Sequence, residues 1–185
     1  MKRQVIFAIA LLTAISSEMA AQRTMNGQYF VSARLSHDFS SAESFGGGLS
    51  FGQYLLNSYW KATAGVDNRA TGLTTGHSMQ YMHIHIGGDW MYRCIATNDR
   101  ALSLYLGGGI FMGYEGYDTF GTLPANISTG LDNGAFLYGI RANLELEYYF
   151  SKKVGLIAEA SLPMHFGSPT GWLKWSTGLG IRYNF

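Results

Sequence analysis

Charged residues are scarce in this chain: they make up 14% of its 185 residues, where about 25% is usual for a globular domain. The formal net charge is only +1. A protein that binds DNA or RNA needs a clearly basic surface, because most of its contacts go to phosphates. We therefore expect no direct nucleic-acid binding.

Motifs for catalysis and for metal binding are also missing. The one cysteine, Cys94, has no second cysteine with which to form a disulfide within the chain, and we interpret it as a small residue near the end of a strand. The sequence contains no Gly-x-Ser-x-Gly, His-Glu-x-x-His, Cys-x-x-Cys or phosphate-binding loop. We therefore expect no enzyme activity, no cofactor and no metal.

Long apolar runs are absent after the N-terminus. The N-terminal run, residues 5–15, is shorter than the about 20 residues that a membrane-spanning helix needs. Lys2 and Arg3 precede it, and Ala20-Ala21 follows it. This order is typical of a secretory signal peptide. The sequence thus predicts a signal peptide over residues 1–21, export, and one mature domain over residues 22–185.

The chain has instead a strong alternation with a period of two. In its last segment one face holds Trp175, Thr177, Leu179, Ile181, Tyr183 and Phe185, and the other holds Ser176, Gly178, Gly180, Arg182 and Asn184. Alternation predicts a β-strand whose faces meet different surroundings, and frequent glycine argues against helix. Seven further segments share it, over residues 28–35, 45–52, 59–66, 81–90, 102–110, 136–148 and 154–162.

The connections between these eight segments alternate in length. Those after odd-numbered strands span about residues 37–44, 67–76, 115–133 and 167–171. Those after even-numbered strands span about residues 55–58, 96–100 and 151–153. Outer-membrane barrels have short periplasmic turns and longer external loops. The sequence predicts an all-β fold, an eight-stranded antiparallel up-and-down transmembrane β-barrel, whose longest loop either contacts a partner or covers the barrel mouth.

Side-chain volume indicates which face lies outside. An eight-stranded barrel has an interior barely wide enough for its own side chains. The polar face is rich in glycine, serine and charge, whereas the apolar face holds most bulky residues, so we expect outer-membrane lipid around the barrel. Aromatic girdles mark both interfaces of such barrels. The candidate girdle residues are Trp60, Trp90, Tyr148, Trp172, Tyr183 and Phe185.

Charges of both signs then fall inside the barrel. A buried charge must be paired, because an unpaired one costs several kcal/mol. We expect a plug of salt bridges rather than a conducting pore, with Lys174 and Arg182 as partners of the glutamates. The predicted lumen network comprises Arg141, Glu145, Glu147, Glu159, Lys174 and Arg182.

Two histidines are the best candidates for metal ligands. His83 and His85 share one face of a strand, and Glu145 or Glu147 is a conceivable third ligand. The simpler interpretation, which we prefer, is that both are ordinary polar lumen residues. A catalytic group near the outer end of the barrel has no supporting motif; its candidate members are His37, His77, Ser78 and Glu115.

The C-terminal half carries a family resemblance. Residues 113–115 (GYE), 131–139 (LDNGAFLYG), 144–151 (LELEYYFS) and 178–185 (GLGIRYNF) resemble the TraO proteins of conjugative transposons in Bacteroides-like bacteria. The ending in Phe185 also resembles the closing strand of other outer-membrane barrels. The TraO resemblance implies an envelope component of the mating apparatus, with other transfer proteins as partners, and it implies no catalytic residue.

We therefore predict a non-enzymatic outer-membrane component of a conjugative DNA transfer apparatus that anchors or scaffolds other transfer proteins. The alternatives are a small barrel like OmpA or OmpX that serves adhesion or envelope integrity, a lipid-modifying barrel enzyme, and a soluble periplasmic ligand-binding barrel. The sequence indicates no oligomeric state.

Overall fold

The computed structural model describes residues 26–39, 44–72, 78–97, 100–116, 134–168 and 172–185. Each strand pairs antiparallel with the next, and the last pairs with the first, so the sheet closes into a barrel. The strands are β1 (Tyr29–Asp38), β2 (Phe45–Tyr54), β3 (Ser58–Gly72), β4 (Ser78–Ala96), β5 (Leu102–Gly116), β6 (Ala135–Tyr149), β7 (Val154–Phe166) and β8 (Ser176–Asn184).

This closed eight-stranded, up-and-down barrel confirms the predicted fold. The predicted signal peptide, residues 1–21, lies outside the described residues and stays a prediction. Over the part of the chain that the structure describes, no helix has the length and apolar character needed to cross a membrane.

Two loops begin later in the structure than the sequence predicts. The loop placed at residues 67–76 begins later, because β3 continues to Gly72 and pairs there with Ser78 at the start of β4. Backbone pairing across this long hairpin keeps polar residues in the strand despite their turn-like composition. In the same way, the loop placed at residues 115–133 begins after Gly116; residues 117–133 lie outside the described part of the chain.

The strands are staggered around the barrel. If one moves from each residue to its register partner on the next strand, a path once around the barrel starts at Gly155 of β7. It returns to β7 at His165, ten residues farther along. The residues on this path are Arg182, Ser32, Ser50, Thr63, Gly87, Phe111 and Gly139. Closure with such a stagger requires strands that tilt by about 35–45° from the barrel axis. Lumen side chains from strands that are not neighbours are thereby brought to the same height.

The barrel is apolar outside and polar inside. Leu35 is 76% exposed and Leu179 is 70% exposed, whereas Glu145, Glu147 and Arg182 are completely buried. The described part of the barrel therefore reverses the usual arrangement of a water-soluble protein, in which charges face out. An exposed apolar wall of this size is expected where the surroundings are lipid.

The interior also contains large rings, which the expectation of small and charged lumen residues missed. Phe30, Tyr54, Tyr59 and Tyr105 are at most 1% exposed and pack together with Met91 near the three short turns. They lie on the same side of the alternation as the charges. The end of the barrel that carries the short turns is therefore closed by aromatic packing as well as by charge pairs.

The candidate girdle residues divide between the two ends of the barrel. Trp60 and Trp90 are register partners on β3 and β4, and Tyr183 lies near Phe185, with ring centroids 6.5 Å apart. Further outer rings join these pairs into one band near the short turns, through Tyr29 and Phe51. Of the remaining two candidates, Tyr148 lies toward the same end and Trp172 lies in the connection between β7 and β8.

Candidate functional site

The charged lumen is the candidate functional site, and Arg182 is the centre of its half nearer the short turns. The guanidinium places Nη1 2.6 Å from Glu147 Oε1 and Nη2 2.7 Å from Glu145 Oε1. Its Cζ lies 4.1 Å from the ring centroid of Phe30, and Tyr54 hydrogen-bonds both Arg182 and Glu147. One cation thus compensates two buried carboxylates and stacks on a ring that shields it from water.

Lys61 joins the opposite walls of the barrel in the same half. Its Nζ, from β3, lies 2.9 Å from Glu145 Oε2 on β6 and 2.7 Å from Glu159 Oε2 on β7. Arg34, from β1, also pairs with Glu159. Together with Arg182 and Glu147, these residues form one continuous ion-pair network to which five strands contribute. We name this network the Arg182 cluster.

A second pair crosses the middle of the lumen. Arg141 donates to both carboxylate oxygens of Asp89, through Nε and Nη2, at 2.6 Å each. Asn143 donates to Asp89 Oδ1 at 2.9 Å, and Ser161 donates to Asn143 at 2.7 Å. A two-point arginine–carboxylate pair of this kind is both strong and directional.

Lys174 does not meet the glutamates that were predicted as its partners. Its Nζ lies 3.3 Å from Glu115 Oε1 and donates to the hydroxyl of Tyr81 at 2.6 Å. Glu115 also accepts a hydrogen bond from Ser168. The sequence pattern placed Glu115 in a loop, so this pairing in the half nearer the long loops was missed.

That half of the lumen also holds a cluster of three histidines around Asp67, which we name the Asp67 cluster. Asp67 Oδ2 lies 3.1 Å from Arg69 Nη2, 3.2 Å from His83 Nδ1 and 3.5 Å from His85 Nδ1. The ring of His165 lies 5.6 Å from that of His83. Asp67 and Arg69 were missed because their segment was placed in a loop.

The glutamates suggested as a third ligand for His83 and His85 lie elsewhere. Both Glu145 and Glu147 belong to the Arg182 cluster and are paired with Arg182. Asp67 occupies the position beside the histidines instead. Its signal in the sequence is the alternation itself, since Asp67 continues the lumen side of β3 at positions 61, 63 and 65.

The candidate catalytic residues near the outer end do not form a described group. His37 packs its ring against Phe39, with centroids 5.4 Å apart, and is the strand neighbour of lumen-facing Ser36 and Asp38. Because neighbours in a strand point to opposite faces, His37 lies on the outer side. Glu115, by contrast, is completely buried in the lumen. His77 and the side chain of Ser78 lie outside what the structure describes.

The lumen is therefore built to hold its walls together. Ion pairs and hydrogen bonds join strands that are not neighbours in the sheet, and a lumen cavity beside the Asp67 cluster measures about 30 Å³. This space takes one or two water molecules. The arrangement supports a filled, rigid barrel.

Comparison with solved structures finds small outer-membrane barrels. Neisserial surface protein A has 15% identity and a TM-score of 0.66, over 85% of this chain and 97% of that one. OprG from Pseudomonas aeruginosa has 12% identity and a TM-score of 0.59, over 91% and 99%. The N-terminal barrel domain of OprF from Pseudomonas aeruginosa has 16% identity and a TM-score of 0.55, over 86% and 98%. At these identities the likeness concerns the fold.

Comparison of the sequence with known families also finds a match. The model of the family described as conjugative transposon protein TraO matches residues 20–185. This match covers nearly the whole chain and confirms the resemblance seen in its C-terminal half. A search of curated protein sequences finds none that matches.

Proposed function

The chain belongs to the TraO family of conjugative transposon proteins, and we propose that it is a non-enzymatic anchor of the DNA transfer apparatus in the bacterial outer membrane. The observation that carries the proposal is a conjugation-family barrel whose lumen is filled. A barrel whose described lumen is crossed by paired charges and packed rings contributes through its surfaces, namely its wall and its two rims.

The filled lumen argues against a passage for DNA. Eight strands enclose an interior that side chains fill, and here the Arg182 cluster and the rings around Tyr59 occupy the half nearer the short turns. Opening a channel would require separation of buried charges, each of which would then lack its partner. The transferred strand must therefore follow another route, and this protein supports that route from the side.

The exterior supports a position in the membrane. The apolar wall and the outer aromatic band near the short turns, with Trp60, Trp90, Tyr183 and Phe185, have the chemistry of a lipid-facing surface with an interfacial girdle. Predicted export takes the chain across the inner membrane, and barrels of this kind have their short turns in the periplasm. These turns and the opposite loops are then the surfaces offered to other transfer proteins.

Deletion of the gene from a transferring element is the direct test. We expect transfer frequency to fall and to recover when the wild-type gene is supplied in trans. Undiminished transfer, with the other transfer proteins still present at normal levels, would contradict the proposal. If the fall comes with general envelope defects, such as sensitivity of the deletion strain to detergent, the result would instead favour a general envelope barrel.

A second experiment locates the contacts. Replacement of residues 117–133 by a short glycine-serine linker, and separately of the turn 150–153 by a neutral turn, leaves every described lumen residue in place. We expect both proteins to assemble, as judged by heat-modifiable gel migration, and at least one to lose transfer together with a copurifying transfer protein. Full transfer by both variants would contradict anchoring through these connections.

A further inference from the structure

The Asp67 cluster contains three side chains that the strand register brings to one point. Asp67 on β3 is the register partner of His83 on β4, and His85 follows two residues later. Residues two apart on a strand share a face, so all three side chains enter the lumen. They are 9%, 2% and 6% exposed, respectively.

The two distances from Asp67 Oδ2 to the histidines fit the edges of a metal tetrahedron. Asp67 Oδ2 lies 3.2 Å from His83 Nδ1 and 3.5 Å from His85 Nδ1, and the three ligand atoms lie within 4.8 Å of one another. With bonds of about 2.0–2.2 Å to zinc, tetrahedral ligands lie about 3.3–3.5 Å apart, whereas octahedral neighbours lie about 2.9 Å apart. The observed spacing favours the tetrahedral arrangement.

The histidine nitrogens supply a second, independent observation. Among the described residues, His85 Nδ1 has no hydrogen-bond partner, although it is buried and lies 3.5 Å from Asp67 Oδ2. A buried polar atom without a partner costs free energy and calls for an explanation. A metal ion between the two side chains gives His85 Nδ1 the partner that the described residues do not provide.

The site also has space for a fourth ligand. The cavity of about 30 Å³ is lined by Asp67, His83, His85 and His165, and also by Arg34, Arg69 and Arg141. A water molecule fits in this volume and meets polar groups there. Three protein ligands with one open position is a common arrangement for a zinc-type ion.

Arg34, Arg69 and Arg141 all line the cavity and oppose a cation. Arg34 pairs with Glu159 and Arg141 pairs with Asp89, whereas Arg69 contacts Asp67 itself. Arg69 Nη2 lies 3.1 Å from the same oxygen of Asp67, but its Nε also lies 3.3 Å from Asp38 Oδ2. The guanidinium therefore keeps a carboxylate of its own when Asp67 binds a metal, and its hydrogen bond to Oδ2 helps to fix the position of the Asp67 carboxylate. Its charge lowers the affinity without removing any ligand.

From this geometry we propose that Asp67, His83 and His85 bind one divalent transition-metal ion of the zinc type inside the barrel. Two imidazoles and one carboxylate suit Zn²⁺ and its neighbours in the first transition row better than Ca²⁺ or Mg²⁺, which prefer oxygen ligands. The histidines bind as neutral imidazoles through Nδ1. The proton that His83 Nδ1 shares with Asp67 moves to Nε2, which has no partner among the described residues.

The test uses the refolded, tag-free protein with Zn²⁺ or Co²⁺ as the probe. We expect one ion per chain by calorimetry, whether the metal is added after folding or during it. Co²⁺ should give the intense visible absorption of a tetrahedral complex, which hydrated octahedral Co²⁺ lacks. Ca²⁺ and Mg²⁺ should not compete.

Two substitutions assign the site. His85→Gln removes a ligand that makes no hydrogen bond through Nδ1, so the barrel should still fold, and we expect at least about a tenfold loss of affinity together with loss of the tetrahedral spectrum. Asp67→Asn provides a second ligand variant. His37→Gln, on the outer side of the same barrel, is the matched control and should bind as the wild type does.

Failure of the wild-type protein to bind one Co²⁺ or Zn²⁺ ion at up to about 0.1 mM metal would overturn the proposal. An equal loss of metal affinity in the His37→Gln control, or unchanged metal binding by folded His85→Gln protein, would also overturn the proposal. Metal binding is measured on the purified protein, independently of conjugative transfer. Failure to bind metal would therefore leave the anchoring proposal intact, and a loss of transfer would leave the metal proposal intact.

Discussion

Arg182 on β8 and Glu147 on β6 lie 2.6 Å apart in the lumen, although β7 separates their strands in the sheet. Lys61 on β3 reaches Glu145 on β6 in the same way, at 2.9 Å. Such contacts hold the barrel together across its interior, in addition to the hydrogen bonds between neighbouring strands.

Removal of Arg182 should strongly destabilise the barrel. Arg182→Met leaves Glu145 and Glu147 buried without their main cation, and breaking a buried pair from one side costs about 3–5 kcal/mol. Urea unfolding of the protein in lipid vesicles measures the change. Lys152→Met, in an exposed turn, removes the same charge and should change the free energy of unfolding little. Equal effects of both substitutions would contradict a structural role for the lumen network.

A charge on the outer wall should be unfavourable. Ile110, near the middle of β5, is 68% exposed, so in water Ile110→Arg would be nearly neutral. In a bilayer, arginine near the midplane costs about 2–4 kcal/mol. Folding into vesicles measures this cost. Leu56→Arg, 75% exposed but located in a short turn, is the control with little expected effect; a neutral Ile110→Arg would argue against lipid around the barrel.

Two strand glycines should differ in their tolerance of alanine. A Cβ atom at Gly52 would overlap the ring of Phe30 and the carbonyl oxygen of Trp60, whereas one at Gly88 meets its nearest heavy atom, Lys61 O, at 4.0 Å. Gly52→Ala therefore forces the packed lumen to move, and we expect a loss of about 1–3 kcal/mol. Gly88→Ala should be neutral or slightly stabilising. The same urea unfolding experiment measures both changes in the free energy of unfolding. Equal changes for Gly52→Ala and Gly88→Ala would contradict close packing at Gly52.

The wild-type protein should not form a large pore. Paired charges and the rings of Tyr59 and Tyr105, with centroids 4.8 Å apart, fill the lumen near the short turns. In planar bilayers we expect no large, steady conductance from single barrels. The double variant Tyr59→Ala/Tyr105→Ala removes two of the blocking rings and should increase the leak of small ions. Steady wild-type conductance at porin level would show that the lumen is open.

The alternation predicted most of the fold because it is a local property of the chain. Eight alternating segments, with the charges on one face and the bulky apolar residues on the other, indicated the number of strands and the exposed face of each. The ends of the strands were less predictable. Asp67 and Arg69 occur in a segment with the composition of a turn, and only pairing between β3 and β4 keeps it extended.

The partners of the lumen charges depended on tertiary structure. Sequence alone indicated that Lys174, Arg182 and the glutamates point inward, and that buried charges require partners. It did not indicate that Lys174 meets Glu115 or that Asp67 meets His83 and His85. Those pairings follow from the stagger of the closed sheet, because the stagger sets which residues of distant strands share a height. The sequence by itself thus determined the period, the sidedness and the family, and the closed barrel decided which charges meet.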